Sequence, residues 1–84
     1  MNELRAAERL ASARDLVASG QARRIRHAAD LSLAEVSRVV GVDLSTVGRW
    51  ERRERVPRGA AALKYAELLQ RLRKLTVGIG GVAL

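Results

Sequence analysis

The sequence contains no cysteine, no phenylalanine and only one proline. Without cysteine, neither a disulfide framework nor a thiolate metal site can stabilise the chain. Its 84 residues are close to the lower size limit for a self-sufficient hydrophobic core. Aromatic side chains are nearly absent as well, because Trp50 and Tyr65 are the only two. Stability must therefore come from helix packing, from a second subunit, or from both.

Acidic residues are scarce relative to basic ones: nine aspartates and glutamates against sixteen lysines and arginines give a formal net charge of +7. Such a charge favours a polyanionic partner, either nucleic acid or an anionic membrane surface. Fourteen of the basic residues are arginines, which suit forked contacts to phosphate and guanine. No apolar run approaches the length of a transmembrane helix, and the first residues do not resemble a signal peptide. We therefore expect a cytoplasmic protein without membrane contact.

Residue groups that carry catalysis are also missing from the sequence. His27 is the only histidine and has no acid–base partner at a recognisable spacing. The carboxylates are interspersed with arginines, as in surface ion pairs. The glycines at 78, 80 and 81 follow no predicted strand and precede no predicted helix, unlike a phosphate-binding loop. We expect no enzyme activity, no cofactor and no metal.

A capping box marks the start of one short helix. Ser32 and Glu35 have the S-x-x-E spacing, in which the hydroxyl and the carboxylate each accept a hydrogen bond from the other residue's backbone N–H. Leu31 and Val36 flank this box at the spacing of a hydrophobic staple. The pattern predicts a helix that begins at residue 32.

A second capped helix follows after a very short turn. Gly41 suits the left-handed conformation in which the first helix must end. Asp43 is the expected cap of the second helix, and Val42 and Val47 are its staple pair. Two helices joined by so short a turn must cross steeply. This geometry pushes one of them outward, far enough to enter a DNA groove.

Apolar spacing predicts three further helices, and Pro57 excludes a continuous helix through residues 52–58. In the first helix, the residues expected at the core-facing spacing are Leu4, Ala7, Leu10 or Ala11, and Val17. The five predicted helices span residues 3–18, 21–29, 32–40, 44–52 and 59–75. Residues 76–84 are uncharged and glycine-rich, and they are interpreted either as a frayed terminus or as a short strand or apolar arm that contacts a second subunit.

Several stretches together resemble the phage repressor/Cro type of helix-turn-helix over about residues 22–72. The resemblance is carried by Ile25-Arg26, Asp30–Ser37, Gly41–Arg52 and Pro57. It implies an all-α, five-helix, lambda-repressor-like domain over residues 21–75. Residues 1–20 would then be an N-terminal helical extension, and residues 76–84 a flexible or dimer-contacting tail.

The resemblance implies that residues 44–52 form the recognition helix in the major groove. Base contacts are then expected from Leu44, Ser45 and Arg49, and the Arg49 fork fits guanine O6 and N7. The family usually has glutamine where this chain has Leu33, and often a polar residue where it has Leu44. Specificity should therefore depend more on Arg49 and on DNA shape.

Other positions have structural or phosphate-binding roles. Arg26 and Glu51 match an internal ion pair of the family. The motif core is expected at Ser37, Gly41, Val47 and Trp50. The spacing of Trp50 from Val47 favours burial of the Trp50 ring over base stacking. Gly48 is expected to face outward, where either a close approach of DNA or sequence drift would explain it. Phosphate contacts are expected from Arg23, Arg24, Ser32, Thr46, Arg52, Arg53, Arg55 and Arg58.

These observations predict a sequence-specific regulator of transcription that binds double-stranded DNA, is nucleoid-associated, and represses a phage or autoregulated operon promoter. Two alternatives remain open: an antitoxin-type interaction module with autoregulatory DNA binding, and a DNA-bending recombination accessory protein. Because the family commonly binds two half-sites, a homodimer is expected through the N-terminal helix, the last helix or residues 76–84.

Overall fold

The computed structural model of the chain describes the backbone of residues 3–83 and the side chains of residues 3–75. Within these residues the backbone forms α-helices joined by short turns and contains no strand. The helices are α1 (Glu3–Ala18), α2 (Gln21–Ala28), α3 (Leu33–Val40), α4 (Leu44–Glu51) and α5 (Gly59–Ala83). The predicted all-α class with five helices is confirmed for the described residues, and each helix begins within one residue of its predicted start.

The start of α3 has the reciprocal hydrogen bonds of the predicted capping box. The Glu35 backbone N–H donates to Ser32 Oγ at 3.0 Å, and the Ser32 backbone N–H donates to the Glu35 carboxylate at 2.9 Å. Hydrogen bonds from the Ser32 backbone N–H and from the Ser32 side chain lower the pKa of the Glu35 carboxyl below its ordinary value, because both favour the charged form. The start of α3 is therefore determined by hydrogen bonds between residues close in sequence.

The turn between α3 and α4 depends on Gly41, which ends α3 with φ of 84°. Its N–H donates to the Ser37 carbonyl at 2.8 Å and closes the last turn of α3. Asp43 is at the N-cap of α4 as predicted, but the capping hydrogen bond expected from its side chain is absent. The carboxylate is exposed to solvent instead, and the Asp43 backbone carbonyl accepts from the N–H groups of Thr46 and Val47.

The hydrophobic core is formed by residues from all five helices, and α5 packs against α1, α2 and α3. Val47 and Trp50 are buried on the inner face of α4, as their spacing predicts. The Trp50 ring packs against the Tyr65 ring of α5, with 4.8 Å between the ring centroids. This contact between the two aromatic residues ties α4 to α5 and thereby sets which face of α4 is exposed.

Helix α1 packs against α5 and α2 through its second half. Ala13, Leu16 and Val17 are buried there. The expectation that Leu4 and Ala7 face the core is wrong, since Leu4 is 71% exposed and Ala7 is exposed too. Both precede the buried segment of α1, so their helical spacing is regular but no neighbouring helix covers them.

Helix α5 continues to Ala83, whereas the sequence predicts an end at residue 75. A short strand over this segment is therefore wrong for residues 76–83. The contact that residues 76–84 were expected to make with a second subunit lies outside the residues whose side chains are described. Within the described part of the chain, no helix has both the length and the apolar character needed to cross a membrane.

Candidate nucleic-acid interface

Helix α4 exposes one face to solvent while its opposite face is in the core. Leu44, Ser45 and Arg49, the three predicted base-contacting residues, are all exposed. Within the described residues, the Arg49 guanidinium makes no hydrogen bond and no ion pair. Because Ser45 and Arg49 are four residues apart, they lie one above the other on the outer face of α4. The hydroxyl group of Ser45 and the guanidinium group of Arg49 are therefore exposed next to each other.

A cleft of about 430 Å³ lies on one side of this exposed face, between α2, α3 and α4. We call it the α3-side cleft. Its rim carries three predicted phosphate-contacting residues, Arg23, Arg52 and Arg53, and its other lining residues include Leu33 and Gly48. Three guanidinium groups around one depression form a suitable site for a phosphate of a nucleic-acid backbone.

A second cleft, of about 560 Å³, lies on the other side of α4, against α5, and we call it the α5-side cleft. Four predicted phosphate-contacting residues line it: Thr46, Arg53, Arg55 and Arg58. The connector that carries its arginines is anchored at Pro57, whose side chain is fully buried. The Pro57 carbonyl accepts a hydrogen bond from Arg14 Nε of α1 at 3.3 Å. The N-terminal helix thus holds one wall of this cleft.

Arg53 lines both clefts and has an unusual backbone conformation. Its φ of 64° lies in the left-handed region that favours glycine. Two hydrogen bonds close the end of α4 around it: the Arg53 N–H donates to the Trp50 carbonyl at 3.0 Å, and the Glu54 N–H donates to the Arg49 carbonyl at 2.8 Å. A non-glycine residue held in such a strained conformation points to a use for its side chain. This conformation was not predicted from the sequence, although a left-handed residue is common immediately after the end of a helix.

The remaining predicted phosphate-contacting residues lie outside both clefts. Arg24 is exposed, and its Nη2 donates to the Ser19 carbonyl at 3.4 Å. Ser32 Oγ accepts from the Glu35 backbone N–H in the capping box, and the Ser32 side chain also bonds to the Glu35 carboxyl. The other six predicted phosphate-contacting residues line the clefts, and these two do not.

A buried ion pair joins the floor of the α3-side cleft to the core. Arg26 Nε and Nη2 donate to the two carboxylate oxygens of Glu51 at 2.6 and 2.9 Å, and Arg26 Nη1 donates to the Leu31 carbonyl at 2.9 Å. The hydrogen bonds that Arg26 donates to Glu51 raise the pKa of Arg26 above its ordinary value. Arg26 therefore ties α2 to α4 and to Leu31, which precedes the N-cap of α3, and the ion pair that the resemblance implies is present.

Gly48 is buried, so the expectation that it faces outward is wrong. A β-carbon at this position would lie 3.1 Å from Arg52 Nη1 and 3.8 Å from Leu33 Cδ1. The outward direction follows correctly from the helical period, but two long side chains close over the position. Gly48 therefore leaves room for neighbouring side chains of the protein itself.

Ser37 is buried in α3 as predicted, and its hydroxyl donates to the Ala34 carbonyl at 2.8 Å. Its polar group is therefore satisfied within its own helix.

Arg52 is engaged by a carboxylate of its own connector. Its Nε donates to Glu54 Oε2 at 2.8 Å, and its Nη2 donates to Glu54 Oε1 at 3.4 Å. This pairing raises the pKa of Arg52 and lowers that of Glu54, and the nearby charge of Arg49 lowers the Glu54 pKa further. A second anion approaching Arg52 must compete with this carboxylate.

Nothing in the described part of the chain groups histidine and carboxylate side chains as a metal site would require. The exposed face of α4 and its two clefts offer hydrogen-bond donors from arginines and hydroxyl groups, together with the exposed side chain of Leu44. Such a surface recognises anionic and acceptor-rich partners by contact.

Comparison with known proteins identifies a family. A family model described as helix-turn-helix matches residues 22–74, which are more than half of the chain. The match covers α2, α3, α4 and part of α5, and it begins after α1. No similar curated protein and no similar solved structure is found.

Proposed function

The chain belongs to the Cro/repressor type of helix-turn-helix family, whose members are DNA-binding transcription regulators, and we propose that it is a sequence-specific repressor. In this proposal, α4 enters the major groove of an operator and the bound protein blocks a phage or autoregulated operon promoter in the cytoplasm. The observation that best supports this proposal is the exposed face of α4 with an arginine-lined cleft on each side. An arrangement of this kind suits a helix that reads bases between two phosphate backbones.

The proposed roles follow from the chemistry of each exposed residue. Arg49 donates through its fork to guanine O6 and N7, Ser45 reads either a donor or an acceptor, and Leu44 contacts a thymine methyl. The arginines of the two clefts hold the phosphates on either side of the groove. Affinity should fall steeply with salt, because each phosphate contact releases a counterion.

We also propose that the protein binds as a homodimer. A cleft of about 270 Å³ between α3 and α5 supports the last helix as the contact, since Val39 is exposed there beside Leu68. Leu75 further along α5 is exposed as well. In this proposal the two recognition helices reach half-sites about 10 base pairs apart, one turn of the duplex.

Selection of bound DNA from a random pool tests the proposal. We expect a two-fold symmetric consensus with a guanine that Arg49→Ala no longer selects. The same substitution should weaken binding to the consensus by about tenfold or more, because one bidentate contact discriminates by roughly 1–3 kcal/mol. An unchanged base preference in Arg49→Ala would overturn the proposed reading, and an asymmetric consensus would overturn the dimer.

The matched control for this experiment is Arg53→Gly. This variant should weaken binding to all sequences alike and make the salt dependence shallower by about one unit of slope, as expected for a phosphate contact. It should also raise the thermal midpoint, because glycine adopts the observed φ of 64° without strain. A changed base preference in this variant would contradict the phosphate role.

A further inference from the structure

Gly48 lies in the middle of α4, where glycine weakens a helix. Its backbone is not left-handed, so no turn geometry requires glycine at this position. A β-carbon here would lie only 3.1 Å from Arg52 Nη1, closer than side chains normally pack, and 3.8 Å from Leu33 Cδ1, an ordinary contact distance. The guanidinium of Arg52 thus lies across the bare backbone of Gly48, with Leu33 closing the other side.

The position of this guanidinium is defined by a second contact. Glu54 accepts from Arg52 Nε at 2.8 Å, so the fork is held between the carboxylate and the Gly48 backbone. The same cleft is lined by Arg23 and Arg53, both exposed. The Arg52 side chain could adopt many rotamers, but in the structure it lines the same cleft as two other arginines.

The α3-side cleft is net cationic, as follows from its charged residues. The charges of Arg26 and Glu51 neutralise each other in the buried ion pair. Arg23, Arg52 and Arg53 remain, and Leu33 contributes no hydrogen-bond donor. Glu54 lies outside the residues that line this cleft but pairs with Arg52 from the connector. An anion that enters the cleft meets three guanidinium groups and has one carboxylate to displace.

We propose that Gly48 is a positioning residue for phosphate binding: its missing side chain leaves the slot in which Arg52 lies, and Arg52, Arg23 and Arg53 bind one phosphate of the DNA backbone there. On binding, the phosphate takes the place of Glu54 at the Arg52 fork. This inference rests on the proposed function, since DNA supplies the phosphate. It adds a role for a residue that touches neither a base nor a phosphate.

Gly48→Ala separates this role from an ordinary structural one. Arg52 Nη1 is the end of a flexible side chain, so an added methyl group shifts the guanidinium by a few tenths of an ångström without disturbing the fold. We expect the thermal midpoint to rise by about 4 °C, because alanine is the better helix former. The dissociation constant should nevertheless increase by about three- to tenfold for every DNA sequence, the loss expected for one charged hydrogen bond. Base preference should stay the same, and the salt slope should fall by about one unit.

A double-mutant cycle with Arg52→Gln shows whether the loss acts through Arg52. In the Arg52→Gln background, Gly48→Ala should cause no further loss of affinity, because the displaced group is already gone. Unchanged affinity in Gly48→Ala, or a loss of equal size in both backgrounds, overturns the inference. Neither result would overturn the proposed function. The proposed function fails if the wild-type chain selects no DNA sequence, or if Arg49→Ala retains the wild-type base preference.

Discussion

Two arginine–glutamate pairs lie close together at the end of α4, and the surroundings of each differ sharply. Arg26 and Glu51 are 25 residues apart in sequence, and their side chains are 11% and 5% exposed. Arg52 and Glu54 are two residues apart, with side chains 59% and 54% exposed. The shortest N–O distances are similar, at 2.6 and 2.8 Å. Geometry alone therefore does not distinguish their roles.

Burial and connectivity do distinguish them. The buried pair joins α2 to α4, and Arg26 also donates to the Leu31 carbonyl, so all its contacts lie within the protein. Removing one partner would leave a charge in the interior. The exposed pair joins neighbours in one connector, and water or a phosphate can replace either partner. The first pair connects α2 to α4, and the second is the contact that any further anion at Arg52 would have to replace.

The largest effect is expected for Glu51→Gln. The substitution keeps the shape of the side chain but leaves the Arg26 charge buried without its counterion. The free energy of unfolding should fall by about 3 kcal/mol or more, the usual cost of breaking a buried pair. Denaturant titration of the variant and the wild type measures this difference. Glu54→Gln is the matched control, since it makes the same chemical change in the exposed pair. Equal effects of the two substitutions would contradict the comparison.

Local patterns predicted the helix-turn-helix region well. The capping box at Ser32 and the glycine turn at Gly41 are determined by hydrogen bonds within a few residues, so the sequence alone specifies them. Burial of Val47 and Trp50 follows from helical period. The Arg26–Glu51 pair spans 25 residues, and only the family resemblance pointed to it.

The features that were not predicted depend on contacts between distant residues or on the choice between two hydrogen-bond partners. The helical period places Gly48 on the outer face of α4, but the side chains of Leu33 and Arg52 cover it. The period alone does not predict this burial. Leu4 has the right spacing for burial and yet no helix lies against it. Asp43 begins α4 correctly, although its backbone carbonyl takes the role expected of its carboxylate. Base contacts and phosphate contacts remain predictions.

A smaller effect, of opposite sign, is expected for Tyr65→Phe beside the buried pair. The Tyr65 hydroxyl is buried and has no hydrogen-bond partner within the described residues. Removing it should raise the free energy of unfolding at neutral pH by about 1 kcal/mol, because a buried polar group without a partner is destabilising. The Phe ring would keep the contact with Trp50. A loss of stability in Tyr65→Phe would show that the hydroxyl is hydrogen-bonded in solution.

The pH dependence of the same variant provides a second measurement. Burial raises the pKa of Tyr65 above its ordinary value of 10.0. Above pH 10 the unfolded chain loses this proton while the folded chain keeps it, so the stability present below pH 10 is lost as the pH rises. The slope from this one group is about 1.4 kcal/mol per pH unit at most. Above pH 10, the free energy of unfolding should therefore fall less steeply with rising pH for Tyr65→Phe than for the wild type.

The smallest effect on stability is expected for Glu54→Gln, and it should be accompanied by a gain in DNA affinity. The thermal midpoint should not change measurably, because both side chains of the pair are solvated. Affinity for DNA should rise about threefold, because Arg52 no longer has to exchange a carboxylate for a phosphate. Glu8→Gln on α1 is the control, since it removes one negative charge from an exposed site far along the chain from α4. Equal gains from both variants would assign the effect to net charge, and a larger gain from Glu54→Gln assigns it to the release of Arg52.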